Sequence, residues 1–247
     1  MQLRPDPRPK RPRAVTFDCW STLIYERDPA AAHALRTAAL REAAGRAGVE
    51  AAPDAARAAL DAAWQRHSEL WTAGVASGAA EIAGWALADL GVQDAEAAAA
   101  LAARLAEASR AGEILALDGA GATLERLAAA GVRRALVCDT GFSPGRVVRE
   151  LLARAGLLAL LEVTVFSDEA GVPKPHPRVF HAALTPLAVA PGEAAHVGDL
   201  RRTDVAGARA VGMRSIRLRW HHDDRSPLPD ADVVADSHAH LREILGA

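Results

Sequence analysis

The residues able to do chemistry here stand at the ends of apolar runs. In "VTFDCWSTLIYE" such a run stops at Asp18, and two positions later, where a second carboxylate would make an acid/base pair, stands Trp20. "ALVCDTG" ends at Asp139, Thr140 and Gly141, "VTVFSDE" at Asp168 and Glu169, and "HVGDLRRTD" carries Asp199 with Asp204 five residues on. Carboxylates gathered on one rim are costly unless a cation neutralises them, and an oxygen-only donor set suits Mg2+. The chain has two lysines against 27 arginines; one lies near the N-terminus, and Lys174 in "GVPKPHP" is the other. Choosing lysine there implies that a compact point charge matters, on a loop stiffened by Pro173 and Pro175.

These groups need a scaffold that brings strand ends together. After residue 112, short apolar runs alternate with helical stretches, the pattern of βαβ units and a parallel sheet. The run at 13–17 belongs to the same sheet, and ligands of such sheets sit beyond the carboxyl ends of the strands. Residues 28–111 differ: they are alanine-rich, with apolar positions at helical spacing and glycines that divide them into four or five helices. The expected fold is therefore α/β, a Rossmann-like parallel core at 13–27 and 112–247 with an inserted all-helical cap at 28–111. In the "SPGRVVRELLARAG" helix Ser143 is the expected cap, and Thr203 is expected to cap a helix that begins at Asp204 and ends by Gly212.

Bulk properties narrow the partners. A chain of 247 residues, half of them hydrophobic, can bury a sizeable core, and a net charge of -2 gives no reason to expect nucleic acid or a membrane surface. No apolar run reaches the roughly 20 residues of a bilayer span. The basic, proline-rich residues 1–12 read as a disordered tail, and a cytoplasmic monomer or homodimer is expected. Cys19 and Cys138 sit in apolar runs as small hydrophobes.

In this order and at these intervals, Asp18, Lys174 and the Asp199/Asp204 pair resemble the haloacid dehalogenase-like hydrolases, whose C1 helical cap the insertion resembles. The resemblance implies that Asp18 is a nucleophile forming an aspartyl-phosphate. It implies Mg2+ held by Asp18, the Trp20 carbonyl, Asp199 and Asp204, and a small phosphorylated substrate whose phosphate meets Lys174, Thr140 and Gly141. The family places a Ser or Thr followed by Asn at its second motif, where strict register here gives Cys138 and Asp139. Thr140 is the hydroxyl one step on.

Trp20 departs from the phosphatases of the family, which use an Asp there as general acid and base; indole can be neither. Unless a cap residue or a water supplies the proton, esters of good leaving groups should be cleaved best. Family dehalogenases carry an aromatic residue at that place, so a C–X hydrolase is the alternative, and a catalytically weak phosphate-binding or protein-interaction module is another. Trp64, Trp71, Trp85 and His67 read as cap core more readily than as pocket wall, the 221–224 "HHDD" as solvated charge, and His238 and His240 as incidental. His176 reads as a helix cap.

Overall fold

The computed structural model describes residues 11–247, so the first ten residues of the expected tail lie outside the described residues. The elements run β1 (Ala14–Phe17), β2 (Ile24–Glu26), α1 (Pro29–Arg46), α2 (Pro53–Thr72), α3 (Ala79–Asp89), α4 (Ala95–Ala111), β3 (Ile114–Ala116), α5 (Ala120–Ala129), β4 (Arg133–Cys138) and α6 (Gly145–Arg154). There follow β5 (Val163–Phe166), α7 (Ser167–Ala170), α8 (Pro177–Leu184), β6 (Ala194–Gly198), α9 (Ala206–Ala210), β7 (Arg214–Leu218), β8 (Val233–Ala235) and α10 (His238–Leu245). No helix among the described residues is long and apolar enough to cross a membrane.

Six strands form one parallel sheet in the order β5-β4-β1-β6-β7-β8. Its central strand, β1, is buried along its whole length, as expected for a strand covered on both faces. The neighbours of β1 are β4 and β6, so three adjacent strand ends deliver Asp18, Asp139 and Asp199 to one rim. Helices α1 to α4 pack on one another through small alanines and a set of fully buried larger side chains, among them Leu40, Leu60, Ile82 and Leu101. The antiparallel ribbon β2–β3, pairing Ile24 with Ala116 and Glu26 with Ile114, is the double strand by which the chain leaves for these helices and returns.

Two caps differ from expectation. Pro144, not Ser143, stands at the N-cap of α6, and the Ser143 hydroxyl instead donates to Ser109 Oγ at the end of α4 (2.6 Å). Thr203 caps nothing: residues 201–205 form a π-helical turn that leads into α9, and Thr203 is buried within it. This wider turn lets both Asp204 and Val205 receive the Leu200 carbonyl as acceptor for their N–H groups. His176 does cap α8, its Nδ1 accepting from the Arg178 N–H.

Candidate active site

Asp18 leaves β1 with its N–H bonded to the Val197 carbonyl of β6 (2.8 Å), so the sheet itself fixes its starting point. Lys174 is 1% exposed; its ammonium donates to Asp18 Oδ1 at 2.5 Å and to Asp204 Oδ1 at 2.7 Å. Asp204 is filled on every side. His196 Nε2 lies 3.0 Å from Oδ1, while Oδ2 accepts from the Leu200 N–H (3.0 Å) and the Thr203 hydroxyl (3.4 Å). His196, inside β6, also meets the Thr16 hydroxyl of β1 at 2.7 Å through Nδ1. A buried chain of polar contacts thus runs from Thr16 through His196, Asp204 and Lys174 to Asp18. Gly198 permits it: a Cβ there would fall 2.2 Å from Asp204 Cγ.

Asp18, Asp199 and Asp204 are all buried and each offers an oxygen within 4.8 Å of the others. Burial pushes the Asp18 carboxyl up to about 7 despite the opposing Lys174 charge, and pushes Asp199 up to about 9, with Asp18 and Asp204 adding to the rise. Burial would raise Asp204 as well, but the Lys174 charge and the His196 bond outweigh it and hold that carboxyl low. Lys174 keeps its proton firmly: burial disfavours the ammonium, yet Asp18, Asp204 and Asp139 around it more than compensate. Two carboxylates that resist ionising side by side, at least one of them without a lysine partner, are a donor set that fits a divalent cation. Asp204, whose oxygens are taken by protein donors, is better placed to hold Lys174 than to ligate.

On the β4 side, Asp139 Oδ1 accepts from the Lys174 N–H (2.9 Å) and Oδ2 from the Trp71 indole N–H of α2 (2.8 Å). The Thr140 N–H donates to Ser167 Oγ (2.8 Å), with the two hydroxyls 3.0 Å apart. Thr140 and Gly141 line a cleft of about 960 Å³ between the sheet rim and α1–α2, together with Trp20, Trp64, His67 and Trp71. Cys138 stays behind in the core, at the end of β4, and does not line this cleft.

Several sequence expectations need correction. Asp168 and Glu169 turn away from the rim: Asp168 accepts from the Gly145 N–H at the start of α6, and Glu169 pairs with Arg149. Of the α2–α3 aromatic set, only Trp85 packs on the helical core; Trp64, His67 and Trp71 occupy one face of α2 at i, i+3 and i+7 and look into the cleft. The "HHDD" run is engaged throughout. His222 Nδ1 sits 2.7 Å from Asp199 Oδ2, Asp223 pairs with Arg217, Asp224 accepts from the Arg201 N–H, and His221 lies over the Tyr25 ring. His238 is fully buried, with Nε2 2.8 Å from the Thr22 carbonyl. Reasoning along the sequence missed His196 and His222, whose partners are eight and 23 residues away.

The profile of the haloacid dehalogenase-like hydrolases matches residues 12–212. A haloacid dehalogenase-like hydrolase domain-containing protein 3 from Bos taurus is 36% identical over 148 residues, 60% of this chain and 55% of that protein. The glyceraldehyde 3-phosphate phosphatase of Methanopyrus kandleri is 38% identical over 115 residues, 43% of this chain and 49% of that one. The chain thus spans about half the length of these curated relatives. Among solved structures, the magnesium-bound putative HAD-hydrolase YfnB of Bacillus subtilis superposes with a TM-score of 0.65 at 19% identity, covering 96% of this chain and all of that one. A 2-haloacid dehalogenase from Pseudomonas syringae gives 0.66 at 23% identity, covering 94% and 97%. Both likenesses are of fold. By its profile match over most of its length, the chain belongs to the haloacid dehalogenase-like hydrolases.

Proposed function

We propose that the protein is a cytoplasmic, Mg2+-dependent phosphatase of small phosphorylated metabolites, acting through a phosphorylated Asp18. The observation that carries this reading is the buried Lys174 ammonium bonded to Asp18 beside Asp199. An isolated carboxylate at a strand end becomes a nucleophile only if the charge of an approaching phosphate is neutralised, and a lysine in contact with the attacking oxygen does that. Phosphatases of small metabolites among the relatives support the substrate class.

Asp18 Oδ bonds to phosphorus as the bond to the ester oxygen breaks, and that oxygen takes up a proton in the cleft and departs as the alcohol. Lys174 orients Asp18 and binds a phosphoryl oxygen, while the Thr140 hydroxyl and the Gly141 backbone hold the remaining oxygens. Asp204 and His196 keep Lys174 in place and protonated. The water oxygen then bonds to phosphorus, the bond from phosphorus to Asp18 Oδ breaks, and orthophosphate leaves with the carboxylate regenerated. Mg2+, held by Asp18, Asp199 and the Trp20 carbonyl, would supply the remaining positive charge for the phosphoryl group.

The aromatic Trp20 favours one second reading, displacement of halide from a haloacid by the same Asp18, because a halide leaves without a proton. Measuring phosphate and halide release from a panel of phosphate esters and haloacids, with Mg2+ and with excess chelator, separates the two. Mg2+-dependent phosphate release is the expected result; halide release that persists in chelator would replace the phosphatase reading with the other.

A further inference from the structure

Trp20 leaves the proposed reaction without a proton donor at the place where one is expected, so the donor must come from another group lining the cleft. Six acidic or histidine side chains line it: Glu26, His33, Asp54, Asp61, His67 and Asp139. Both oxygens of Asp139 are engaged, and His33 faces Asp61 at 3.3 Å on α1–α2. Glu26 belongs to the β2–β3 ribbon, beside Gly112, and Asp54 stands in the first turn of α2, far along the helix from the rim. His67 remains. Its residue is 6% exposed, its Nδ1 lies 2.7 Å from Ser77 Oγ, and its Nε2 has no protein partner among the described residues. That free nitrogen is directed at the phosphate-side loop: a Cβ placed on Gly141 would lie 3.1 Å from it and 2.9 Å from the Trp64 ring.

We propose that His67, on α2, is the proton-transfer residue of the active site, replacing in space the acid/base that Trp20 cannot be. The inference rests on the phosphatase reading. In-line attack by Asp18 from the sheet expels the leaving oxygen on the opposite side of phosphorus, into the cleft, and α2 lines that cleft with the His67 imidazole beside Gly141. In the first step Asp18 Oδ bonds to phosphorus, the bond from phosphorus to the ester oxygen breaks, and that oxygen takes the Nε2 proton. In the second, neutral Nε2 accepts a proton from water as the water oxygen bonds to phosphorus and the bond to Asp18 breaks; orthophosphate leaves and the imidazolium is restored.

The surroundings suit both roles. Burial lowers the imidazole pKa, and Glu81 of α3 opposes that fall. On the loop beneath, burial pushes the Asp139 carboxyl up while the Lys174 N–H and the Trp71 indole N–H occupy its oxygens, and the Arg202 guanidinium lies 3.9 Å over the Trp71 ring. A phosphate dianion arriving beside Nε2 raises the pKa again, so the group is protonated when an ester is bound and basic once the alcohol has left. In both states Nδ1 carries a proton and donates it to Ser77 Oγ, which holds the ring with Nε2 toward the cleft.

The test compares wild type, His67→Asn and His67→Gln on 4-nitrophenyl phosphate and on 2-phenylethyl phosphate, reading kcat/KM with Mg2+ present across pH 5 to 9. In the wild type the two esters should differ little, because the poor leaving group is protonated as it departs. In both variants kcat/KM on the phenylethyl ester should fall by about 10²- to 10⁴-fold, at least tenfold more than on the nitrophenyl ester, and the limb of the pH profile due to His67 should vanish. A wild-type preference for the nitrophenyl ester as steep as the variants show, or equal losses on both esters with the pH profile unchanged, would overturn the assignment while leaving the phosphatase standing. Failure of the wild type to cleave either ester removes both readings. The wild-type comparison needs no variant to fold, and circular dichroism verifies the variants.

Discussion

Asp18, Lys174, Asp204 and His196 behave as one unit, because each is buried and each satisfies its neighbour. Changing Asp18 to Asn preserves shape and removes the attacking charge, so turnover should drop by at least about a thousandfold while the thermal midpoint moves by only a few degrees. Phosphate release together with a melting curve checks this; near-wild-type turnover would remove the nucleophile assignment. Asp199 is a different case, since among the described residues its hydrogen-bonding side-chain partner is His222, and burial holds its carboxyl up to about 9. A cation that binds there stabilises the folded state by mass action. Millimolar Mg2+ should therefore raise the melting temperature of the wild type and leave that of Asp199→Asn unchanged, a readout independent of activity; an equal rise in both would move the metal elsewhere.

At the scale of elements, what could be read from the sequence was what is written locally. Asp18, Asp139 and Asp199 stand where apolar runs stop, and parallel pairing places those stops side by side. Lys174 was legible because it is one of two lysines against 27 arginines, on a loop that two prolines stiffen. The β2–β3 ribbon was not, since three-residue strands carry no periodicity and are made by pairing across nearly ninety residues of intervening helix. His67, His196 and His222 were illegible for the same reason: a histidine acquires meaning from what the fold sets beside it. His238 illustrates this within α10. It is fully buried between the Thr22 carbonyl and Thr123 Oγ1, and burial depresses its pKa below the ordinary 6.5. The folded chain then takes up this proton less readily than the unfolded chain, so stability is full above 6.5 and is lost as pH falls from there toward the lower folded pKa. Thermal midpoints measured between pH 7.5 and 5.5 should decline, and His238→Gln should flatten that slope while lowering the midpoint at neutral pH. Part of the slope should survive in the variant, because burial lowers the pKa of His196 in the same way; a slope identical to wild type would mean that His238 is not its source.

At the scale of the molecule, α1–α4 and the sheet meet across the cleft through polar and aromatic contacts, and α4 is further held on α6 by buried Ala106 and the Arg110–Glu150 pair. Trp71 donates its indole N–H to Asp139 and its carbonyl accepts from Arg202, whose guanidinium also covers the ring. Trp64 stacks on Phe142 at 4.6 Å, Arg36 reaches Ser109, and Ser109 reaches Ser143. The covalent connection is the β2–β3 ribbon, thin enough to act as a hinge. Any parting of the helices from the rim must break these contacts, so they set how much of the population is closed. Trp71→Phe keeps the ring for Arg202 and removes one donor, leaving Asp139 Oδ2 buried without it. An unsatisfied buried acceptor costs about 1–3 kcal/mol, which shifts the balance toward open forms by roughly 5- to 150-fold. The variant should show a larger radius of gyration in small-angle X-ray scattering and faster proteolysis near residues 24–28 and 112–116. Its kcat/KM should fall for short and bulky esters alike, because closure precedes chemistry for both. Unchanged scattering and unchanged kcat/KM would mean that stacking at Trp64 and Phe142 holds the helices down without help from the indole, and that Trp71 serves only to orient Asp139 beneath Lys174.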